Sequence, residues 1–272
     1  MYPKERQSLL LSLLAKEGFL SYQELAEKLQ VSEITIRRDM KILREQGLVE
    51  KAFGGAQVSR AAMELPYTSK QIMQIREKEA IAAAARRLVE NGMTIGFAAG
   101  TTTWVTAKHL VGFSELTFVT NSVNIATDLR AIGWTDIHIT GGVFRTPSDA
   151  LVGPIAEMAA RQFHTDILFV GANGLHVDHG LSTPNLLEAS INRALMERTD
   201  KVVLLADRTK WNGEAMCRFG GLDEIDVLVT DALPGAFAER TLASHGVDVI
   251  CADGIDARND DEYPKPTKMD TR

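Results

Sequence analysis

VSEITIRRDMKILREQGLVEKAFGGA, residues 31–56, is the stretch on which the reading of this chain turns. Just upstream, Ser21 and Glu24 have the spacing of a capping box, which predicts a helix over residues 22–29. Val31 turns the chain inward, and the Ser32 hydroxyl can cap a second helix. On that helix Ile36, Met40 and Leu43 recur at helical spacing and belong to the core. Thr35, Arg37, Arg38 and Lys41 are left on the outer face, gathered in the first turns. Gly47-Leu48-Val49 then ends the helix and opens a short strand pair closed by Gly54-Gly55. Two helices joined by a tight turn, followed by a wing, make a winged helix-turn-helix. The second helix of such a unit offers its first turns to base edges, and an arginine can grip guanine through two parallel hydrogen bonds. Lys51 on the wing is placed for a phosphate. An ordinary solvated helix face would account for an arginine pair alone, but not for capping box, turn, arginines and Gly-Gly in register. The candidate DNA-binding residues are therefore Ser32, Thr35, Arg37, Arg38, Lys41 and Lys51.

These residues resemble the N-terminal signature of the DeoR family of bacterial transcription regulators. Its pattern V-S-x-x-T-I-R-R-D-L, followed by G-L and then G-G-A, is met by Val31, Ser32, Thr35, Ile36, Arg37, Arg38, Asp39, Gly47, Leu48, Gly54, Gly55 and Ala56. Met40 replaces the usual leucine, a volume-conserving change. Phe53 stands where the family often has histidine.

The whole chain of 272 residues carries a net charge of −6, which is unusual for a DNA-binding protein. The charge is unevenly divided: residues 1–60 hold 10 basic and 8 acidic side chains, net +2. The remainder holds 20 basic and 28 acidic, net −8. Affinity then rests on a few placed contacts and on doubling by self-association. With 45% hydrophobic residues the chain can bury a sizeable core. No apolar run reaches bilayer length, the start reads as a charged helix rather than a signal peptide, and Cys217 and Cys251 are too few for a disulfide framework. A cytoplasmic protein is expected.

Four segments follow: a winged helix-turn-helix over 1–58, a linker over 59–76 around Pro66, an α/β domain over 77–253, and a polar, disordered tail over 254–272. In the third, helix resumes at Glu77 and short apolar runs then alternate with helices. Strands are expected at 94–98, 116–120, 136–140, 166–170, 201–206, 227–230 and 247–251. Continuous apolar runs suit strands covered on both faces, so the sheet should be open and mostly parallel.

Ligands of such sheets sit beyond the carboxyl ends of the strands. Here those ends lead into Gly100-Thr101-Thr102-Thr103, Thr120-Asn121, Gly141-Gly142 and the segment Asp207, Thr209, Lys210. Small residues, hydroxyls and a helix start suit an anion, and Lys210 adds fixed charge. Each loop alone is an ordinary turn; their convergence on one edge makes them a candidate effector site. The family resemblance, which spans residues 4–252, implies a sensor domain similar in fold to ribose phosphate isomerases, with these segments around a phosphorylated sugar. Gly153, Gly171, Gly174, Gly180 and Glu188 also fit the family pattern, whereas Asn192 stands where many relatives carry lysine.

Isomerisation of a sugar phosphate needs a carboxylate base. The isomerases that the domain resembles carry an acidic motif where this chain has Gly171-Ala172-Asn173-Gly174. An amide and a glycine cannot serve, although Asp166, Asp178 and Glu188 are close in sequence. The expectation is a regulator without catalytic residues, metal or cofactor; the competing reading is an active isomerase joined to a DNA-binding domain. His176 and His179, with Asp178 between them, read as a solvated loop rather than a metal site. The expected partners are double-stranded operator DNA, a phosphorylated sugar that releases it, and further copies of the chain as a dimer or tetramer.

Overall fold

The computed structural model describes residues 3–17, 19–45, 48–52, 54–58 and 67–252. Phe53, Gly47, Pro66 and the tail 254–272 lie outside the described residues, as does the Lys51 side chain. The chain divides into two compact units between Ile75 and Arg76.

The first unit opens with α1 (Pro3–Glu17) and β1 (Phe19–Ser21). The capping box then forms as the spacing predicts. The Ser21 hydroxyl accepts from the Glu24 N–H at 3.2 Å, the Ser21 N–H donates to the Glu24 carboxylate at 2.8 Å, and α2 spans Tyr22–Leu29. Gln30 closes α2 in the left-handed region (φ 52°), which turns the chain at once into α3 (Glu33–Glu45). The wing strands β2 (Val49–Ala52) and β3 (Gly55–Val58) pair antiparallel, and β1 adds to β3. At Gly55 a Cβ would collide with the backbone carbonyl of Leu20, so glycine is what lets β1 lie against the wing. Leu10, Leu11, Leu14, Leu25, Ile36, Met40 and Leu43 close the core. Part of the expected linker is helical instead: α4 spans Tyr67–Ile72, with Tyr67 buried, and α5 (Ile75–Ala85) begins two residues before Glu77.

The second unit is built on seven parallel strands. They are β4 (Thr94–Phe97), β5 (Thr117–Thr120), β6 (Ile137–Ile139), β9 (Ile167–Gly171), β12 (Val202–Leu205), β14 (Val227–Thr230) and β15 (Asp248–Cys251). Their order is β15-β14-β12-β9-β4-β5-β6, every neighbouring pair parallel. All seven expected strands are present: β14 has the expected bounds, β9 is shifted by one residue to end at Gly171, and the others are shorter by a residue or two.

Alternation along the strands splits the core into two layers. Ile95, Phe97, Phe118, Ile167, Phe169, Val203 and Val229 pack under α5, α6 (Thr101–Lys108) and α7 (Val123–Ala131). Phe97 bridges Phe169 and Phe118, with ring centroids 5.3 and 6.4 Å away. On the opposite face Leu168, Val170, Leu204 and Leu228 pack under α8 (Pro154–Ala160), α9 (Leu186–Met196) and α10 (Ala236–Ser244).

Five short strands stand outside the main sheet and were not expected. β7 (Val143–Arg145) and β8 (Ala150–Val152) form one hairpin; β10 (Gly174–His176), β11 (Gly180–Thr183) and β13 (Cys217–Gly220) form a small antiparallel sheet. His176 thus ends a strand rather than lying in a solvated loop, and its ring packs on that of His179 at 4.6 Å. Among the described residues no three histidine, cysteine or acidic side chains gather as a metal would need, and no helix is long and apolar enough to cross a membrane.

Candidate nucleic-acid interface and effector site

In the first unit the recognition helix is α3. The Ser32 hydroxyl accepts from the Thr35 N–H at 3.3 Å and lies 2.9 Å from the Thr35 hydroxyl. Both side chains are thus engaged in starting α3. Arg37, Arg38 and Lys41 are exposed on one side, while Ile36, Met40 and Leu43 are buried on the other.

Asp39, which follows the arginine pair, points inward and is only 2% exposed. It accepts from Arg6 Nε at 2.5 Å and from Gln7 at 3.1 Å, which fastens α1 to α3. Bonding to Asp39 raises the Arg6 pKa above its ordinary value. The third residue of the R-R-D run is therefore a structural ion pair.

Arg37 is not an isolated cation. Its Nε donates to Glu33 at 3.0 Å, Nη2 reaches the same oxygen, and the guanidinium lies 4.8 Å from the centre of the Tyr22 ring. Arg38 makes no ion pair among the described residues. Ile34 was missed in the sequence. At 80% exposed it is a large apolar side chain on the first turn of the recognition helix, off the core stripe set by Ile36, Met40 and Leu43. Such a side chain suits the thymine methyl in a major groove.

In the second unit the strand order has one reversal. From β4 the chain moves outward to β5 and β6, then returns to β9 on the other side of β4 and continues to β12, β14 and β15. The topological switch point therefore lies between the carboxyl ends of β4 and β9, where open α/β sheets bind ligands. The residues that meet there are Ala98–Thr101 from β4 and Ala172-Asn173 from β9.

The expected site residues fall into two groups. Thr103, Thr120, Asn121 and Asp207 are buried, and their polar atoms are spent on the protein itself. The Thr103 hydroxyl donates to the Ala98 carbonyl at 2.8 Å, and the Thr120 hydroxyl to the Phe97 carbonyl at 2.8 Å. Asn121 accepts from the Ala99 N–H at 2.8 Å and donates to the Leu151 carbonyl at 3.2 Å, tying three loops together. Asp207 caps the turn that follows β12 by accepting from the Thr209 N–H at 2.9 Å. Thr102 is buried beside them. These side chains fix the loops' shape. Gly100, Thr101, Gly141, Gly142, Thr209 and Lys210 remain at least partly open.

Gly100 starts α6 with no side-chain cap, so the first N–H groups of that helix face the edge unshielded. Gly142 (φ 108°) is required by packing: a Cβ there would sit 2.6 Å from the Val152 carbonyl oxygen and 2.9 Å from the Ala156 methyl. Lys210 makes no ion pair among the described residues. It lies in the turn that follows β12, a strand two places from β4 in the sheet. Arg208, its neighbour, is drawn off to Asp231, with Nε 2.5 Å from the carboxylate.

A polar chain along this edge was not read from the sequence. Arg145 of β7 donates to Glu188 of α9 at 2.7 Å, and the Thr183 hydroxyl lies 2.9 Å from the other Glu188 oxygen and 3.2 Å from Asn173 Oδ1. Of the three acids close in sequence to that motif, only Glu188 is here. Asp166 accepts from the Thr94 N–H at the opposite end of the strands, and Asp178 sits exposed in the turn between β10 and β11. The available signal was Glu188 itself, an acid in the first turn of a helix buried on most sides. Asn192 lies further along α9 and is buried.

A DNA-binding winged unit followed by a parallel α/β unit defines a one-chain transcription regulator. Residues 6–61 match the DeoR-like helix-turn-helix domain, and residues 73–232 match the DeoR C terminal sensor domain. The chain belongs to the DeoR family. It is 36% identical to the HTH-type transcriptional regulator GlpR of Haloferax volcanii, over 94% of this chain and 99% of that one. It is 30% identical to the glycerol-3-phosphate regulon repressor of Escherichia coli, over 91% of this chain and 98% of that one. Among solved structures, ribose 5-phosphate isomerase A of Methanocaldococcus jannaschii shares 16% identity over 49% of this chain and 53% of its own, with a TM-score of 0.37.

Proposed function

We propose that this regulator represses carbohydrate-catabolism genes and leaves its operator when a phosphorylated sugar binds the α/β unit. Arg37 and Arg38 read base edges; Ser32 and Thr35 fix the start of the helix that carries them, and Lys41 and Lys51 meet phosphates. The observation that carries the effector reading is the reversal of strand order at the β4–β9 switch point. There the uncapped start of α6 supplies N–H groups, and Lys210 supplies positive charge across the edge. An anionic head is the chemistry this edge favours. A relative that represses a glycerol-3-phosphate regulon supports the same class of ligand.

The site is read as a sensor and not an enzyme. Glu188 at this edge has one oxygen engaged by Arg145 and the other by Thr183, Asp207 is spent on capping its own turn, and Asn173 offers an amide where an isomerase needs a carboxylate base. Self-association in the cytoplasm, as a dimer or tetramer, supplies the second recognition helix that one small unit lacks. Differential affinity of the ligand for the bound and unbound forms is what moves the operator equilibrium. The test is to titrate the full-length protein on operator duplex with a panel of sugar phosphates and their unphosphorylated parents, following the ligand for product. Release by a phosphorylated member alone, with the ligand recovered unchanged, is expected. Equal release by the unphosphorylated sugars overturns the effector reading, and steady turnover makes the protein an enzyme.

A further inference from the structure

Arg37 is held before any DNA arrives. Glu33 is the first residue of α3 and lies one turn behind Arg37. A single carboxylate oxygen takes both Nε and Nη2, and the Tyr22 ring, on the first residue of α2, covers the guanidinium at 4.8 Å. Both members of the pair are about half exposed, with side chains 59% and 45% accessible, so the pair adds little to stability. Its effect is on direction. A guanidinium carries five N–H donors in a rigid fork. Glu33 uses the Nε side of that fork, leaving the Nη1 donors and the second Nη2 donor at the far end. Those two ends are the right pair for the O6 and N7 of one guanine. The carboxylate also cancels the charge that Arg37 would otherwise offer to any phosphate.

We infer that Glu33, with Tyr22 behind the guanidinium, is a positioning and specificity residue: it aims Arg37 end-on at a guanine and withholds it from the phosphate backbone. The inference rests on the reading of Arg37 as a base contact. On non-specific DNA the paired arginine gives little counterion release, whereas on the operator its free end still finds a base. Discrimination is thereby gained by suppressing the wrong complex as well as by favouring the right one.

Full-length parent, Glu33→Ala, Glu33→Gln, Arg37→Ala and the double variant Glu33→Ala/Arg37→Ala would be titrated by anisotropy. The probes are a duplex selected by the parent from a randomised library and a scrambled duplex of equal composition, over a range of salt. Glu33→Ala should bind scrambled DNA several-fold more tightly and the selected duplex no better. The selected-to-scrambled ratio then falls about tenfold, and the salt slope on scrambled DNA steepens by about one. Glu33→Gln keeps an acceptor oxygen without the charge, so it should hold the selected duplex nearly as the parent does while still gaining on scrambled DNA. In the Arg37→Ala background, removing Glu33 should leave the ratio where it is. An unchanged ratio in Glu33→Ala, or the same gain with Arg37 absent, overturns the inference while leaving Arg37 as a reader. An Arg37→Ala variant with the parent's ratio overturns both.

Discussion

Arg145 and Glu188, 43 residues apart in sequence, meet at 2.7 Å and join the β7–β8 hairpin to the start of α9. The pair is mostly buried, with side chains 21% and 10% exposed. Ser148 also lies 3.2 Å from the same guanidinium nitrogen. The hairpin that follows the Gly141-Gly142 loop is thus fastened to α9, which shares its core layer on one face of the sheet.

Arg145→Ala should destabilise the α/β unit by about 1–3 kcal/mol, because it strands a mostly buried carboxylate that Thr183 alone then serves. Glu188→Gln should cost less, since the amide oxygen still accepts and the solvent-facing side of Arg145 stays hydrated. Urea denaturation of each full-length variant checks the order. A midpoint for Arg145→Ala equal to the parent's would show that the pair holds nothing in place.

The inward Asp39 makes a different prediction for the R-R-D run. Asp39→Ala leaves the Arg6 guanidinium, itself mostly buried, without its carboxylate, and should cost about 3 kcal/mol in the first unit. Operator affinity should fall with it, through a displaced α3, and equally for selected and scrambled duplex. A variant that keeps its melting behaviour but loses discrimination between duplexes would make Asp39 a DNA contact instead.

Asp149 sets a pH dependence whose sign can be worked out. Burial raises its pKa above the ordinary aspartate value, against the hydrogen bonds from Ser122 and the Asn124 N–H that favour the carboxylate. A folded pKa above the unfolded one means that the folded form holds its proton more tightly. The contribution to stability is then full below about pH 4 and is lost as pH rises through the raised folded value. Asparagine can accept the same two bonds and tolerates the left-handed backbone at this position (φ 57°). Asp149→Asn should therefore gain on the parent in thermal midpoint as pH climbs from 4 toward neutrality. A difference that stays flat or shrinks over that range contradicts the burial argument.

The sequence carried the main sheet because its strands are apolar on both faces, and seven runs such as ILFV at 167–170 declare themselves without partners. It carried the winged unit because Ser21, Glu24, Ser32 and the Ile36–Met40–Leu43 stripe act within a few residues of one another. The five short strands had no such signal. Val143–Arg145 and Gly180–Thr183 are only three and four residues long, and their pairing is decided by what lies across from them. Site residues divide on the same line. The glycine and threonine loops show as local composition, yet whether Thr120 or Asn121 faces a ligand or a neighbouring carbonyl depends on segments 20 or more residues away. Arg145–Glu188 and Arg6–Asp39 are long-range pairs of residue types that read as ordinary surface charges in one dimension. Glu33–Arg37 was within reach: an acid four residues before an arginine on a helix is a local pattern.

Lys210 carries the last prediction, because it is the one open cation among the expected effector residues. If it meets the phosphate, losing that charged contact should cost about 1.5–3 kcal/mol, or about 10–150-fold in ligand affinity. Lys210→Ala should then hold operator as the parent does and need correspondingly more sugar phosphate for release. Coupling between the two sites is reciprocal, so in the parent operator DNA should weaken ligand binding by the same factor, typically about 5–150-fold. Calorimetry with and without operator duplex measures both quantities on one preparation. Parent-like ligand affinity in Lys210→Ala removes this residue from the site. Ligand affinity indifferent to operator, in a parent that binds both, ends the proposal that the α/β unit controls release.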